Sequence, residues 1–204
     1  MNETSAIEGT VIDLIRHGEP EGGSRYRGHG VDDPLSDKGW RQMWRAVGET
    51  VHWQHIVSSP LARCREFAQA LAERDQVNVS IDGRLKEIGF GSWEGRTRDE
   101  LKRDDLQAYQ AFYHDPVHCR PAGAEALDEF ISRVTLAYDN IVQQQRGRHC
   151  LIVAHAGVIR AIIAHVLFAQ PIGLYKIRVD NAGLARIRYG QYGGVLEFVN
   201  LPGL

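Results

Sequence analysis

The chain has 204 residues, enough for one well-covered core, and 43% of them are hydrophobic, an ordinary share for a folded protein. Lysine and arginine number 24 against 26 aspartates and glutamates, so the net charge of -2 excludes a global basic field of the kind that holds nucleic acid or an anionic membrane. An anionic ligand must therefore meet a local cluster of positive charge.

The first ten residues, MNETSAIEGT, are polar and acidic and lack the apolar core of a signal peptide. Residues 10–15 (TVIDLI) form a short apolar run that predicts a central strand. Residues 16–34, rich in Gly, Pro and charge, read as a loop. Ser36 is suited to cap a helix, and Trp40, Trp44, Val47 and Val51 recur at helical spacing, which predicts about four turns. HIVSS (55–59) predicts a second strand. Pro60 follows where a helix would begin, with Leu61, Cys64, Ala68 and Leu71 as its inner stripe. VNVSI (77–81) predicts a short strand, and 97–114 an irregular helix. A long helix is expected over about 123–145, with Leu127, Phe130, Ile131, Val134, Tyr138 and Ile141 on one face.

HCLIVA (149–154) predicts a buried strand whose helix starts near Ala156. The apolar stretch 151–169 has the length of a membrane span, but His155, Arg160 and His165 lie inside it, so it reads as a strand running into a packed helix. LARIRYG and GVLEFVN (184–190 and 194–200) predict a hairpin closing an antiparallel edge. Alternating strands and helices imply an α/β fold with a mostly parallel sheet covered on both faces, expected as a single domain over 1–204. Three scattered cysteines (Cys64, Cys119, Cys150), with no C-x-x-C pair, favour a reducing, cytoplasmic setting.

In such sheets ligands bind outside the carboxyl ends of the strands. Three strands end there in polar residues: Arg16-His17-Gly18-Glu19, Ser58-Ser59-Pro60 with Arg63 in the following helical turn, and His155-Ala156-Gly157. Two guanidiniums offer planar paired donors and permanent charge to phosphate oxygens. A neutral imidazole is a nucleophile, and a second one can donate to a phosphoryl oxygen. Gly18 is expected to leave room for phosphate beside the strand end. Glu87, within RLKEIGFGSWEG, is the candidate acid for the leaving oxygen, with Ile88, Phe90 and Trp93 as neighbours that exclude water. Arg25, Arg27 and His29 place positive charge in the glycine-rich loop. Taken singly, each of these residues has an ordinary structural role; the reading rests on their joint placement.

These residues resemble the histidine phosphatase superfamily, also called phosphoglycerate-mutase-like. LIRHGE (14–19), Arg27-Gly28, DPLS (33–36), SSPLARC (58–64), FGSWEG (90–95) and VAHAGVIR (153–160) occur in the family's order and cover about residues 10–160. The resemblance implies a three-layer α/β/α sandwich and a metal-independent phosphomonoesterase with no cofactor. It makes His17 the residue that is phosphorylated, with Arg16, Arg63 and His155 around the phosphate and Glu87 as proton donor. It places Arg27 near the entrance and gives Gly18 and Ala156 backbone contacts. FGSWEG, the segment 108–125 and KIRVDNAGLARI (176–187) are most similar to the alpha-ribazole phosphatases of cobalamin assembly, which implies alpha-ribazole 5′-phosphate as substrate. The implied partner is a small-molecule phosphomonoester, not nucleic acid or membrane, and a homodimer is left open. Two departures stand out. Gly23 occupies the substrate-side position where many members carry Asn, and in Pro121-Ala-Gly-Ala-Glu125 the acid is shifted by one residue.

Other readings are a broad phosphatase for sugar or acid phosphates, a mutase, for which the short stretch 96–122 and short tail leave little closing material, and a silent phosphate-binding domain, which the presence of all five central residues disfavours. His114, His118 and Cys119, and the pair His52 and His55, have spacings that can bind zinc, but Pro116 breaks the first set's helix, so these read as surface histidines.

Overall fold

The computed structural model describes residues 9–204, and the first eight residues of the polar amino-terminal stretch lie outside the described residues. Strand β1 (Val11–Arg16) and strand β4 (His149–Ala154) pair in parallel at the centre of a six-stranded sheet. Their side chains alternate between two cores. Ile12, Leu14, Cys150 and Ile152 face one, whereas Ile15, Leu151 and Val153 face the other. Continuous apolar runs such as TVIDLI and HCLIVA encode this arrangement, because a strand covered on both faces has no solvent side.

The remaining strands are β2 (His55–Ser58), β3 (Asn78–Ile81), β5 (Leu184–Gly190) and β6 (Gly193–Leu201), in the order β3-β2-β4-β1-β5-β6. The first four in that order run parallel, and β5 and β6 close an antiparallel edge. Helices α1 (Asp37–Val47) and α2 (Ala62–Asp75) cover one face with Met43, Val47, Phe67 and Leu71. Helices α3 (Arg98–Asp104), α4 (Leu106–His114), α5 (Leu127–Gln144) and α6 (Ala156–Val166) contribute to the other core, through Leu101, Phe112, Phe130, Val134 and Ile162 among others. The result is the three-layer α/β/α arrangement expected.

Several boundaries differ from the periodicity, each for a local reason. Helix α1 stops at Val47 because Gly48 takes φ +61°, and Val51 is exposed; the buried stripe is Met43, Ala46 and Val47, with Trp40 and Trp44 packed at its flank. Segment 97–114 is two helices, since the Asp105 side chain accepts the Ala108 N–H at 2.8 Å and starts a new one. Helix α5 begins at Leu127, after a turn in which Gly123 has φ +72°. Among the described residues no helix is long and apolar enough to cross a membrane.

One charged residue breaks the apolar pattern of β1. Asp13 is 0% exposed and accepts from Trp53 Nε1 (2.9 Å), His149 Nε2 (2.8 Å) and Arg186 Nε and Nη2 (2.7 and 2.9 Å). Burial alone would raise its pKa, but these partners, Arg186 foremost, hold the carboxyl below its ordinary value.

Candidate functional site

Strand order decides which residues meet. Because β4 lies between β1 and β2, with Arg16 opposite Ala154 and Ser58 opposite Val153, the three carboxyl ends finish side by side. The residues just beyond them, His17, Ser59 and His155, are therefore neighbours. The rings of His17 and His155 meet edge to face, with centroids 5.2 Å apart. His155 Nε2 is 2.7 Å from Ser59 Oγ. A cavity of about 410 Å³ opens beside His17, lined by Arg16, His17, Arg63, Glu87 and Ala156 at its inner end; Ser59 and His155, fully buried, do not line it.

Each side chain is held from the backbone. His17 Nδ1 lies 2.7 Å from the Gly18 carbonyl. A carbonyl only accepts, so Nδ1 carries the proton and Nε2 keeps its lone pair. Arg63, in the first turn of α2 and 1% exposed, donates from Nη1 to Val31 O (3.0 Å) and from Nη2 to Gly28 O (2.8 Å), tying the 18–34 loop to the helix. Arg16 Nη1 donates to Val179 O at 2.7 Å. The Nε atoms of both arginines are buried without a hydrogen-bond partner among the described residues. Leaving such a donor unsatisfied costs about 1–3 kcal/mol. Glu87 accepts from Ile88 N (3.0 Å) and from Gly157 N (3.2 Å), in the first turn of α6. A Cβ at 157 would come within 2.3 Å of Glu87 Oε1, so a larger residue there would push the Glu87 carboxyl aside.

The electrostatics follow from burial beside cations. Burial, then the charges of Arg16 and Arg63, hold the His17 imidazole well below its ordinary 6.5; burial, Arg63 and His17 do the same for His155. Both rings are neutral near pH 7. Burial also pushes Arg16 down to about 10, against the opposing charge of Glu87, and it remains a cation at neutral pH.

Two expectations need revision. Gly18 does not open space for a ligand: a Cβ there would lie 2.3 Å from Gly39 O, so the glycine serves close packing of the loop against α1, and Gly18 does not line the cavity. His29 does not line it either and turns its Nδ1 to Glu87 O at 3.1 Å. Arg25 and Arg27 do line it, although Arg27 is engaged by Asp33 (2.8 Å) and Glu21 O. Gly23 lines the cavity, and its N–H is directed to Pro20 O at 3.4 Å. His118 pairs with Asp115 at 2.9 Å on the surface.

The outer wall escaped the sequence reading. Tyr26, Arg98, Tyr113, Arg160, Tyr175 and Lys176 come from distant segments and do not stand at strand ends. The Tyr26 and Tyr113 hydroxyls are 2.5 Å apart, joining the glycine-rich loop to α4. Asn181 Nδ2 approaches His17 O at 3.4 Å. The segments 108–125, 153–160 and 176–187, singled out for their resemblance, are the signals that pointed here.

Fold and site together define an α/β protein with a buried cationic cup around paired neutral imidazoles. The chain belongs to the histidine phosphatase superfamily (branch 1), whose family profile matches residues 12–202. It is 32% identical over 199 residues to a bifunctional protein of Mycobacterium tuberculosis, covering 95% of this chain and 54% of the relative, so it spans about half of that protein's length. It is 28% identical over 191 residues to the adenosylcobalamin/alpha-ribazole phosphatase of Escherichia coli, covering 92% of this chain and 94% of the relative. The crystal structure of the alpha-ribazole phosphatase from Shigella flexneri superposes with a TM-score of 0.82 at 28% identity, over 95% of this chain and 98% of that one.

Proposed function

We propose that the protein is a metal-independent phosphomonoesterase working through a phosphohistidine at His17. The observation that carries this is the inner cup: His17 Nε2 with a free lone pair, on a cavity wall shared with the guanidiniums of Arg16 and Arg63. A tetrahedral dianion pairs with those cations and presents phosphorus to the ring.

In the first step the Nε2 lone pair attacks phosphorus and forms the P–N bond while the ester P–O bond breaks. Glu87 delivers a proton to the leaving oxygen, releasing the alcohol. Arg16 and Arg63 balance charge on the equatorial oxygens, the largest part of the work in phosphoryl transfer, with the neutral His155 as a hydrogen-bond donor. In the second step the Glu87 carboxylate takes a proton from water as that oxygen attacks phosphorus. The P–N bond breaks, its electron pair returns to Nε2, and inorganic phosphate leaves. Each turnover consumes one water and restores both residues.

Alpha-ribazole 5′-phosphate is the substrate favoured by the names of the relatives and by the rings of Tyr26, Phe90, Tyr113 and Tyr175 on the outer wall, which suit a flat base. A second reading, a phosphomonoester whose alcohol carries another acidic group, is favoured by Arg25, Arg98, Arg160 and Lys176 on the same wall. Comparison of wild type with His17→Ala on a panel containing alpha-ribazole 5′-phosphate and 3-phosphoglycerate, with chelator present, tests all of this. Loss of phosphate release in the variant is expected. Undiminished release rejects the nucleophile, and isomerised ester without phosphate makes the protein a mutase. The ester with the higher kcat/KM decides between the two substrate readings.

A further inference from the structure

Glu87 is the group whose placement the proposed chemistry depends on most, yet it stands on a segment with little regular structure, between a single 3-10 turn (Gly83–Leu85) and another (Gly91–Trp93). Side chains hold that segment by its carbonyls: His29 Nδ1 meets Glu87 O (3.1 Å), Arg120 Nη2 donates to Gly89 O (3.2 Å), and one arginine on α5 makes the most bonds. Arg133 uses all five of its guanidinium N–H groups. Nε donates to Glu125 Oε1 at 2.6 Å and Nη2 to Glu125 Oε2 at 2.9 Å. Nη1 donates to the carbonyls of Arg84 (2.5 Å) and Lys86 (2.8 Å), and Nη2 also to that of Glu87 itself (3.2 Å).

Glu125 closes the loop from the other side. Its Oε2 accepts the Gly89 N–H at 3.0 Å, and its own N–H donates to Gly89 O at 3.1 Å. Both side chains are largely buried, Arg133 at 17% and Glu125 at 14% exposure, where a fork-to-fork ion pair with every donor used is rigid. Neither residue lines the cavity. The one-residue shift of this acid relative to Pro-x-Gly-Glu thus leaves it gripping both backbone polar groups of Gly89, two residues after Glu87.

We propose that Arg133 and Glu125 act as a positioning clamp that sets the Glu87 carboxyl for proton transfer to the leaving group, a role that rests on the phosphatase reading above. Three carbonyls and one amide within residues 84–89 are fixed to one ion pair, so loss of the clamp lets Glu87 drift relative to Gly157 and the scissile oxygen. A misplacement of about 1 Å can cost on the order of 100-fold in rate, within the roughly 10²–10⁴-fold worth of general acid catalysis.

The test uses leaving-group dependence, which a merely structural role would not move. An alkyl phosphate needs a proton on its departing oxygen, whereas p-nitrophenyl phosphate scarcely does. Because kcat/KM reports phosphorylation of His17, it isolates that step. Arg133→Ala is expected to lower kcat/KM for the alkyl ester on the order of 100-fold and for p-nitrophenyl phosphate less than about 5-fold, with inhibition by inorganic phosphate changed less than about 3-fold. Arg133→Lys, with three donors for five acceptors, shows the same pattern at smaller size. Glu125→Gln keeps an acceptor for Gly89 N and is the variant to read if Arg133→Ala loses its fold in a denaturation scan. Equal losses on both esters, or no loss, overturn the clamp while leaving the phosphatase standing. Full activity of His17→Ala overturns the phosphatase reading and the clamp with it.

Discussion

Lowering the pH from 7.5 to 5.5 is a direct probe of the two buried imidazoles. Both have native pKa values held well below 6.5 by burial and the neighbouring guanidiniums, while in the unfolded chain each returns to its ordinary value of about 6.5. Below that value the unfolded state takes up a proton that the native ring refuses, so acid favours unfolding. The stabilisation is complete above pH 6.5 and drains away as pH falls through and below it. One proton is worth about 1.4 kcal/mol per pH unit, so each ring forfeits between about 1 and 1.5 kcal/mol over this interval, and the pair between about 2 and 3 kcal/mol, a large part of a stability of roughly 5–15 kcal/mol. No discount for solvent screening applies, because His17 is 6% and His155 0% exposed. The assay is urea unfolding at pH 7.5, 6.5 and 5.5 for wild type and for His17→Asn, which removes one of the two sites and cancels the contributions of every other histidine. The wild type should lose between about 1 and 1.5 kcal/mol more than the variant across the interval. Parallel pH profiles for the two proteins, or a His17 ring that titrates near 6.5 in nitrogen NMR, would refute the assigned environment.

Asp13→Ala strands Arg186, His149 and the Trp53 N–H in one stroke, and should destabilise by about 3–5 kcal/mol in denaturant unfolding; a loss under 1 kcal/mol would mean the carboxylate is not the hub it looks. Gly18→Ala drives a methyl into the Gly39 carbonyl and should cost about 1–3 kcal/mol and reduce turnover by moving His17; a variant as stable and active as wild type disproves the close packing. Burial pushes the Cys64 thiol up, and that of Cys150 to about 12, so the native protein should titrate a single thiol at pH 8, the exposed Cys119, and three after denaturation. Rapid native modification of Cys64 would show that the wall beside His155 opens. Phosphate release should be undiminished after dialysis against chelator, and loss restored by a divalent cation would reject the metal-free mechanism.

Short apolar runs bounded by glycine and charge specified the strands here because each strand has one local environment. TVIDLI and HCLIVA announce burial on both faces without reference to any distant residue. The same locality made LIRHGE, SSPLARC and VAHAGVIR readable as strand ends carrying the chemistry. Periodicity failed where a single backbone group decides the outcome: Gly48 ends α1 a turn before Val51, and Asp105 starts α4 by capping it, features that a stripe of apolar residues does not register. It failed equally for Gly18, whose reason is a helix packed against it from 21 residues away in the chain.

Sequence by itself determined that imidazole and guanidinium side chains stand at or just beyond the carboxyl ends of strands. It did so because nucleophilicity, charge and strand propensity are properties of residues and their immediate neighbours. Only the tertiary structure decided that β4 lies between β1 and β2, so that His17, Ser59 and His155 meet, that aromatic and cationic residues from distant segments make the outer wall, and that Arg133 reaches back across 46 residues to grip the carbonyl of Glu87. Those are consequences of strand order and helix packing, which sum many weak contacts over the whole chain and leave no mark at any one position in it.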